Sequence, residues 1–592
     1  MLKSLSMRSN NYYGLVVIGL LALMHAVCSS AMPVPDKSIE GKPQRASPDN
    51  SLSFVHAQGR RLVRQGVPLT LRAICFSNYY NYDSREFDLL NSNHHSEKDF
   101  ERVKILGFNS IRFAFNGNWY RDNPQHFWAW LDRNVALARK YDLMLVLDLH
   151  SPIGGFWLDP TSPKLDFGLW DDPALQQENV DLWQAIAKRY RDEPHIAAYD
   201  VLNEPVTNDS TGDKWRLLAE RLVAAIREVD DNHLIIIERL YGVNGKYGTK
   251  NIPSQFLVKD NNVMYDFHFY EPLEYTHQFA SWVARPLTDG GHYPDSAAIV
   301  PTGRQRLVSN QRILSETLVP GDSSWRLYQS KPVTVTDPQV VAALPIMVAR
   351  GNIRGNIQFD NLKVVEYAAD GRYLGEVFHE PLNQETIWQW WDWERPVADQ
   401  PGKHGLSRVE NDGSNDDHSL AIALTGDRGI VGWSSEKRWF RVKTGHSYQV
   451  IGYMKGQAVE YDTTDAKTRA GFELDFYAPP LDTETKPFLQ RDREYLEQKL
   501  NEWLKFGVEH NVPMSVMEFG LVRACFEMRG KGGSRWINDM LSLFRKYQLS
   551  FAYWNYHGNH MGLYLTDQKT PPGSPNEVLM ETLLQELSAW RQ

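Results

Sequence analysis

Between residues 69 and 268 the chain repeats one pattern: a short, almost wholly apolar run, then a longer stretch with its hydrophobic residues on one helical face. The runs are 69–74, 109–113, 144–148, 196–202, 234–238 and 263–268. Apolar runs of this length predict strands buried on both faces. The stretches between them predict helices. In 173–190, for example, Trp183, Ile186, Ala187 and Tyr190 fall at i, i+3, i+4 and i+7. The rhythm returns near the C-terminus as helix 491–510, strand 513–518, helix 534–547, strand 550–554 and helix 576–590. Ser574-Pro575-Asn576-Glu577 supplies a cap, a first-turn Pro and a capping-box Glu for the last helix. Met580, Leu583, Leu584 and Leu587 give its buried stripe. Six strands before a gap and two after it, alternating with helices, predict an α/β fold, a (β/α)8 barrel. Residues 51–295 and 483–592 together supply 355 residues, a size that suits such a barrel with insertions. An open doubly wound sheet is the structural rival, but no GxGxxG follows the first strand.

The gap, 296–482, has a different period. Short alternating runs at 357–364, 419–424, 439–442, 448–453 and 471–476 are separated by Gly351-Asn352, Gly355-Asn356 and Asn411-Asp412-Gly413. This is the pattern of an antiparallel, jelly-roll-like β-sandwich. A loop of 187 residues would be implausible inside a compact domain. The segment is read as a domain inserted after the sixth strand, between barrel parts 51–295 and 483–592. Loops after barrel strands emerge on the catalytic face, which places the insert beside the active site.

Lys3 and Arg8 precede the apolar run 14–27, which ends in Ser29-Ser30-Ala31: residues 1–31 are expected to be a secretory signal. The run is short for a membrane span. Cys28 suggests a lipoprotein, but His25-Ala26-Val27 matches a lipobox poorly. Residues 32–50, with Pro33, Pro35, Pro43 and Pro48, read as a linker. A secreted or periplasmic protein without stable membrane insertion, and a monomer, is expected. Net charge is −9 with no block of Lys or Arg, which argues against a nucleic-acid partner. Three cysteines are too few for a disulfide scaffold or a Cys-rich zinc module. Aromatic residues make up 12% of the chain, including 19 Trp, and flat amphipathic rings suit the apolar faces of sugars as well as cores.

In a (β/α)8 barrel, polar residues at strand C-termini point into the site. That selects Asp148, Glu204, Glu238, Asp266 and Glu518. Glu204 follows the fourth strand in Asn203-Glu204-Pro205, and Glu518 closes the seventh in Glu518-Phe519-Gly520. These strands face each other across the barrel, so the two carboxylates can converge on one bond. Glycoside hydrolysis needs such a pair, one to protonate a poor leaving group and one to meet a cationic sugar carbon. Glu238 is the competitor, read as a floor or structural residue.

Six pieces occur in order along both barrel halves: Ile111-Arg112-Phe113, Leu147-Asp148-Leu149-His150, Asn203-Glu204-Pro205, Asp266-Phe267-His268-Phe269-Tyr270, Met517-Glu518-Phe519-Gly520 and Tyr553-Trp554. Together they resemble the family 5 glycoside hydrolases, retaining enzymes of the large (β/α)8 clan. The insert is not part of the family pattern. The resemblance implies Glu204 as acid/base and Glu518 as nucleophile. It implies that Arg112 and Tyr270 orient Glu518, that Asn203 binds the 2-hydroxyl, and that His150 and His268 hydrogen-bond the sugar or the carboxylates. Trp554 would stack beneath the sugar. No cofactor or metal is implied, and no HExxH or paired Cys-x-x-Cys is present.

Loops after the third and sixth strands carry Phe156, Trp157, Trp170, Tyr275, Phe279 and Trp282 as candidate subsite aromatics. The stretch 270–278 resembles a segment of the family's β-1,4-glucanases, so a cellulose-like β-glucan is the first expectation. β-Mannan, β-1,3-glucan, xyloglucan, a glycolipid and exo action are alternatives, as is a catalytically inactive glycan-binding protein. In the insert, Trp388, Trp390, Trp391 and Trp393 could stack on glycan or fill a core, and Gln358-Phe359-Asp360-Asn361-Leu362 resembles a strand of carbohydrate-binding modules.

Overall fold

The computed structural model describes residues 54–78, 95–155, 168–249, 252–280, 290–301, 306–382, 389–392, 405–415, 418–434, 439–478, 488–558, 560–565 and 573–590. The expected signal and linker lie outside them. Eight parallel strands close into a barrel: β1 (Arg72–Ser77), β2 (Ser110–Asn116), β3 (Met144–Ser151), β4 (Ile196–Asp200), β5 (Leu234–Glu238), β6 (Val263–Asp266), and, beyond an intervening sheet, β11 (Met514–Phe519) and β12 (Ser550–Tyr553). They follow chain order around the ring, and β12 pairs with β1.

Alternation along the strands explains their apolar character. Ala73, Cys75, Val146, Ala198, Ile236, Met264 and Ala552 share the barrel interior. Their neighbours Ile74, Phe113, Leu145, Tyr199, Ile235, Tyr265 and Phe551 join the layer beneath the helices. Both faces are buried, so a barrel strand has no polar face to reveal its period. The helices start on local chemistry: the Asp172 side chain accepts from the Ala174 N–H just before Pro173, the first residue of Pro173–Tyr190.

Several boundaries differ from expectation. β1 begins at Arg72, because Val67–Leu69 belongs to a separate three-stranded antiparallel sheet with Val55–Gln58 and Arg61–Arg64. Val55 and Leu62 of that sheet pack with the interior residues Met144 and Ile236. β4 stops at Asp200 rather than 202. The last helix spans Glu577–Ser588, and its cap is Asn576, which accepts from the Leu579 N–H, not Ser574. Ser574 and Pro575 are held instead in bridges to Leu565 and Tyr564.

Between β6 and β11 the chain forms 13 antiparallel strands linked into one sheet among the described residues. Its entry and exit, Asp295–Pro301 and Phe488–Arg491, pair with each other. The long strands are β7 (Ala342–Tyr367), β8 (His418–Ser434), β9 (Ser447–Glu460) and β10 (Arg469–Ala478). β7 spans 26 residues, of which the predicted 357–364 is only a part of the second half. Its first half pairs with β10 and its second half with β9. The switch falls where glycine punctuation predicted turns. Gly351 and Gly355 adopt φ of +85° and +108° within the strand, and the register slips between Asn352 and Arg354 and again between Arg354 and Asn356. These are bulges that bend a strand without ending it. The bend folds the sheet over its own apolar face, bringing Phe359 of β7 edge-on to Phe472 of β10 at 5.5 Å. No helix among the described residues is long and apolar enough to cross a membrane. Cys75 and Cys525 are both buried.

Candidate active site

Polar residues interrupt the barrel interior at one end. Arg112 lies level with Cys75 and Val146, Asp148 pairs with Asp200, and Glu238 with Asp266. All five side chains are fully buried. The Arg112 guanidinium donates to Asp200 Oδ2 at 3.0 Å, Glu238 Oε1 at 2.8 Å, Asn203 Oδ1 at 2.9 Å and Glu518 Oε1 at 2.7 Å, and approaches Asp148 Oδ1 at 3.2 Å. One cation cannot keep every surrounding carboxylate ionised. Burial pushes Asp200 well above its usual range despite Arg112, and burial with the charge of Glu238 raises Asp266 to about 7. For Asp148, burial is outweighed by Arg112 and His150, and its carboxyl stays low. Replacing Arg112 with Leu leaves these carboxylates uncompensated and should cost about 3–5 kcal/mol of stability. Chemical denaturation of the variant measures this, and an unchanged midpoint would show that the guanidinium is not what holds the ring together.

The two glutamates reach the site by different backbone devices. Glu204 follows β4 with φ +39°, a left-handed conformation that costs a non-glycine residue energy. Its N–H donates to Glu238 Oε2 at 2.7 Å, which holds the turn. In β11, Val516 and Phe519 both join the outer layer, and the register against β12 slips between them. Met517 and Glu518 therefore both face inward, a bulge that re-aims one side chain. Strict alternation would have sent Glu518 outward.

Glu518 is held from three sides. Besides Arg112, Tyr270 donates to its Oε2 at 2.9 Å, and His268 Nδ1 lies 3.4 Å away. Burial, with the charge of Glu204, still lifts its carboxyl above the ordinary value against His268 and Arg112. Glu204 is opposite in character. Burial favours its neutral form, but the His268 Nδ1 contact at 2.7 Å and the imidazole's charge bring it down to about 2. Burial opposes charge on His268, yet Glu518, Glu238 and Glu204 together raise it well above a free imidazole. Oxygens of Glu204 and Glu518 and a ring nitrogen of His268 all lie within 4.8 Å of one another. Side-chain exposure separates the glutamates: 18% for Glu204, 7% for Glu518 and 0% for Glu238. Glu238 is thus a floor residue, with both oxygens bound to Arg112 and the Glu204 N–H. The donor atoms of Glu238, Asp266 and His268 also cluster within 4.8 Å, but several atoms of both groups are engaged in these internal bonds.

The supporting residues named from sequence lie at the same end of the barrel. His150 bonds Asp148 Oδ2 through Nδ1 at 2.8 Å, lies 3.4 Å from Asn203 Nδ2 through Nε2, and stacks on Trp554 with centroids 5.3 Å apart. Asp266, His268 and Tyr270 face inward at every second position, while Phe267 and Phe269 bury outward. Trp170 does not reach the site: it is 2% exposed, and its indole N–H donates to Val206 O, so it is a core residue. Tyr275 is buried likewise, donating to Lys531 O. Trp157, Trp282, Trp388 and Trp393 lie outside the described residues. Trp391 sits in the strand Gln389–Asp392 opposite Gly432. Three residues were missed from sequence. Asp200 looked like mid-strand. Tyr241 accepts the His268 N–H at its hydroxyl. Tyr247 donates to Glu204 Oε2 at 3.2 Å from a two-residue hairpin around Asn244-Gly245. That Asn-Gly pair was a readable turn signal.

Residues 77–307 match the family model for cellulase, glycosyl hydrolase family 5. The chain is 32% identical over 215 residues to endoglucanase C of Acetivibrio thermocellus, covering 35% of this chain and 58% of the relative. It is 32% identical over 193 residues to cellodextrinase A of Ruminococcus flavefaciens, covering 31% of this chain and 54% of the relative. The chain thus spans little more than half the length of these relatives. Among solved structures, endoglucanase Cel5A of Thermotoga maritima superposes with a TM-score of 0.41 at 15% identity, covering 90% of this chain and 98% of that one.

Proposed function

We propose that the barrel is a retaining β-glycoside hydrolase acting on a β-1,4-linked glucan, with Glu518 as nucleophile and Glu204 as acid/base. The observation that carries this reading is the pair of facing carboxylates, with oxygens inside 4.8 Å of each other. Retaining enzymes place the two carboxyl groups about 5–5.5 Å apart, whereas inversion leaves about 6.5–9.5 Å for a water. In the first step a Glu518 oxygen bonds the anomeric carbon as the glycosidic bond breaks, and a proton passes to the departing oxygen. In the second, Glu204 takes a proton from water as it attacks the same carbon and releases Glu518.

In the free protein the transferable proton resides on His268, since Glu204 is held at about 2 and His268 is raised. Glu518 gives His268 its largest electrostatic support. Forming the glycosyl ester removes that charge, which weakens the hold of His268 on its proton and passes it through Glu204 to the leaving oxygen. The imidazole should accordingly titrate at lower pH in Glu518→Gln than in wild type, read by nitrogen NMR of the histidines. An unmoved titration would remove His268 as the proton reservoir.

The choice of β-glucan is supported by the relatives described as endoglucanase and cellodextrinase. A polysaccharide panel with product sizing and anomeric NMR tests the whole reading: β-glucan should be cut, with the β-anomer appearing first. An initial α-anomer would point to inversion. We further propose that residues 1–31 direct export and that the insert lines one side of the groove. Exchanging 296–482 for a short loop should then weaken action on long chains far more than on aryl glycosides. Equal losses would make the insert purely structural.

A further inference from the structure

The sheet carries a polar concavity of its own, with a volume of about 540 Å³. It is built by register. Asn356 of β7 pairs with Gln457 of β9, and Gln358 with Lys455, so four polar side chains stand side by side on one face. The neighbours across β8 are Ala423 and Ala421, whose small side chains leave that face open. On the other flank, Ser323 exchanges hydrogen bonds with Gly456 in both directions, clamping the loop that precedes Arg326–Gln329 against β9. Asp412 closes a further side. It accepts from Lys455 Nζ at 2.6 Å and from the Trp325 indole N–H at 3.1 Å, and Lys455 lies 6.0 Å above the Trp325 ring.

Gln358 is the informative member. It is 8% exposed and lines the cavity, and its Oε1 is without a hydrogen-bond partner among the described residues. Its amide is oriented by a hydrogen bond to Asp412, which leaves the acceptor end unused. A nearly buried acceptor facing an open cavity is met by water or by the hydroxyl of a ligand that displaces it. The rest of the lining narrows what that ligand is. Asp412 and Lys455 neutralise each other, the second carboxylate of the lining, Asp322, lies exposed and accepts from the Ala458 N–H at 2.6 Å, and the rest is amides and hydroxyls with donors and acceptors interleaved, beside a half-buried indole. This suits neither a phosphate nor an apolar peptide. It suits a neutral molecule with many hydroxyls and an apolar face.

We infer that the cavity lined by Ser323, Asn356, Gln358, Asp412, Lys455 and Gln457, with Trp325 packed beside its Asp412–Lys455 wall, is a non-catalytic binding site for a neutral saccharide chain, separate from the barrel's glutamates. The inference does not depend on the catalytic reading. The test is affinity electrophoresis of the full chain carrying Glu518→Gln, in gels containing barley β-glucan, hydroxyethylcellulose, glucomannan or xylan. At least one polysaccharide should retard the protein. Trp325→Ala, Gln358→Ala and the exposed-site variant Gln457→Ala should each weaken retardation at least about fivefold, the scale of one lost hydrogen bond. With Glu518 intact, the same three variants should hydrolyse small aryl glycosides at the wild-type rate. Gln457→Ala keeps the test valid if the buried Gln358 variant fails to fold. Retardation that persists in a protein without hydrolytic activity, and still depends on Gln457 and Trp325, upholds the site while removing the catalytic reading. No retardation by any polymer overturns the inference, and so does retardation lost in Trp554→Ala but untouched by the three insert variants.

Discussion

Glu518→Ala should remove the proposed turnover of both β-glucan and aryl β-glucosides, by at least about 10⁴-fold, the scale of losing a covalent nucleophile. Arg112 and Tyr270 are hydrogen-bonded to the two oxygens of this carboxylate, and both bonds favour its charged form. Burial works the other way and leaves the group above its ordinary value. Its ionisation therefore rests on those two partners and on His268. Removing the side chain opens a space facing the anomeric carbon, which a small anion can enter. Added azide or formate should restore turnover of an activated aryl glucoside, giving a product of inverted configuration. The outcome is read by NMR of the glycosyl azide. Substantial residual activity without an anion would remove Glu518 as nucleophile.

The barrel was legible because helices and buried strands differ in period and length, and because β/α alternation admits few topologies. The glutamates were legible for another reason. Asn203-Glu204-Pro205 and Glu518-Phe519-Gly520 sit where strands run out, and barrel chemistry collects there. Legibility failed where the backbone departs from its period. Nothing local in Met514–Phe519 announces that two successive side chains face inward. Asp200 was overlooked because Val201 and Leu202 extend the apolar run past the hydrogen-bonded strand end. In the sheet the error had the opposite sign: Gly351 and Gly355 read as turns, yet the strand passes through them because a bulge accepts positive φ as readily as a turn does. Trp170 shows the limit of composition. A tryptophan in an active-site loop looks the same in sequence whether its ring meets sugar or core, and here the Val206 carbonyl takes its N–H.

Glu204→Ala should separate substrates by leaving group. A cellooligosaccharide leaves as an alkoxide and needs the proton that Glu204 relays, so kcat/KM falls by about 10²–10⁴-fold. A dinitrophenyl glucoside leaves without help, so its first step survives and the glycosyl-enzyme accumulates because no base activates water. Azide needs no base, and it should accelerate the second step and yield the β-glycosyl azide with retained configuration. The pH profile adds a sign. In wild type the Glu204–His268 pair must carry one proton, and activity on the oligosaccharide falls as pH rises through the apparent value of that pair. The neighbouring carboxylates raise His268, so this alkaline limb lies above the value of an isolated imidazole. In Glu204→Ala the limb should vanish for the dinitrophenyl substrate, whose bond cleavage draws on no proton from the enzyme. Equal losses on the two substrates, with the limb retained, would show that Glu204 positions the site without transferring a proton, and the acid/base role would have to pass to His268 alone.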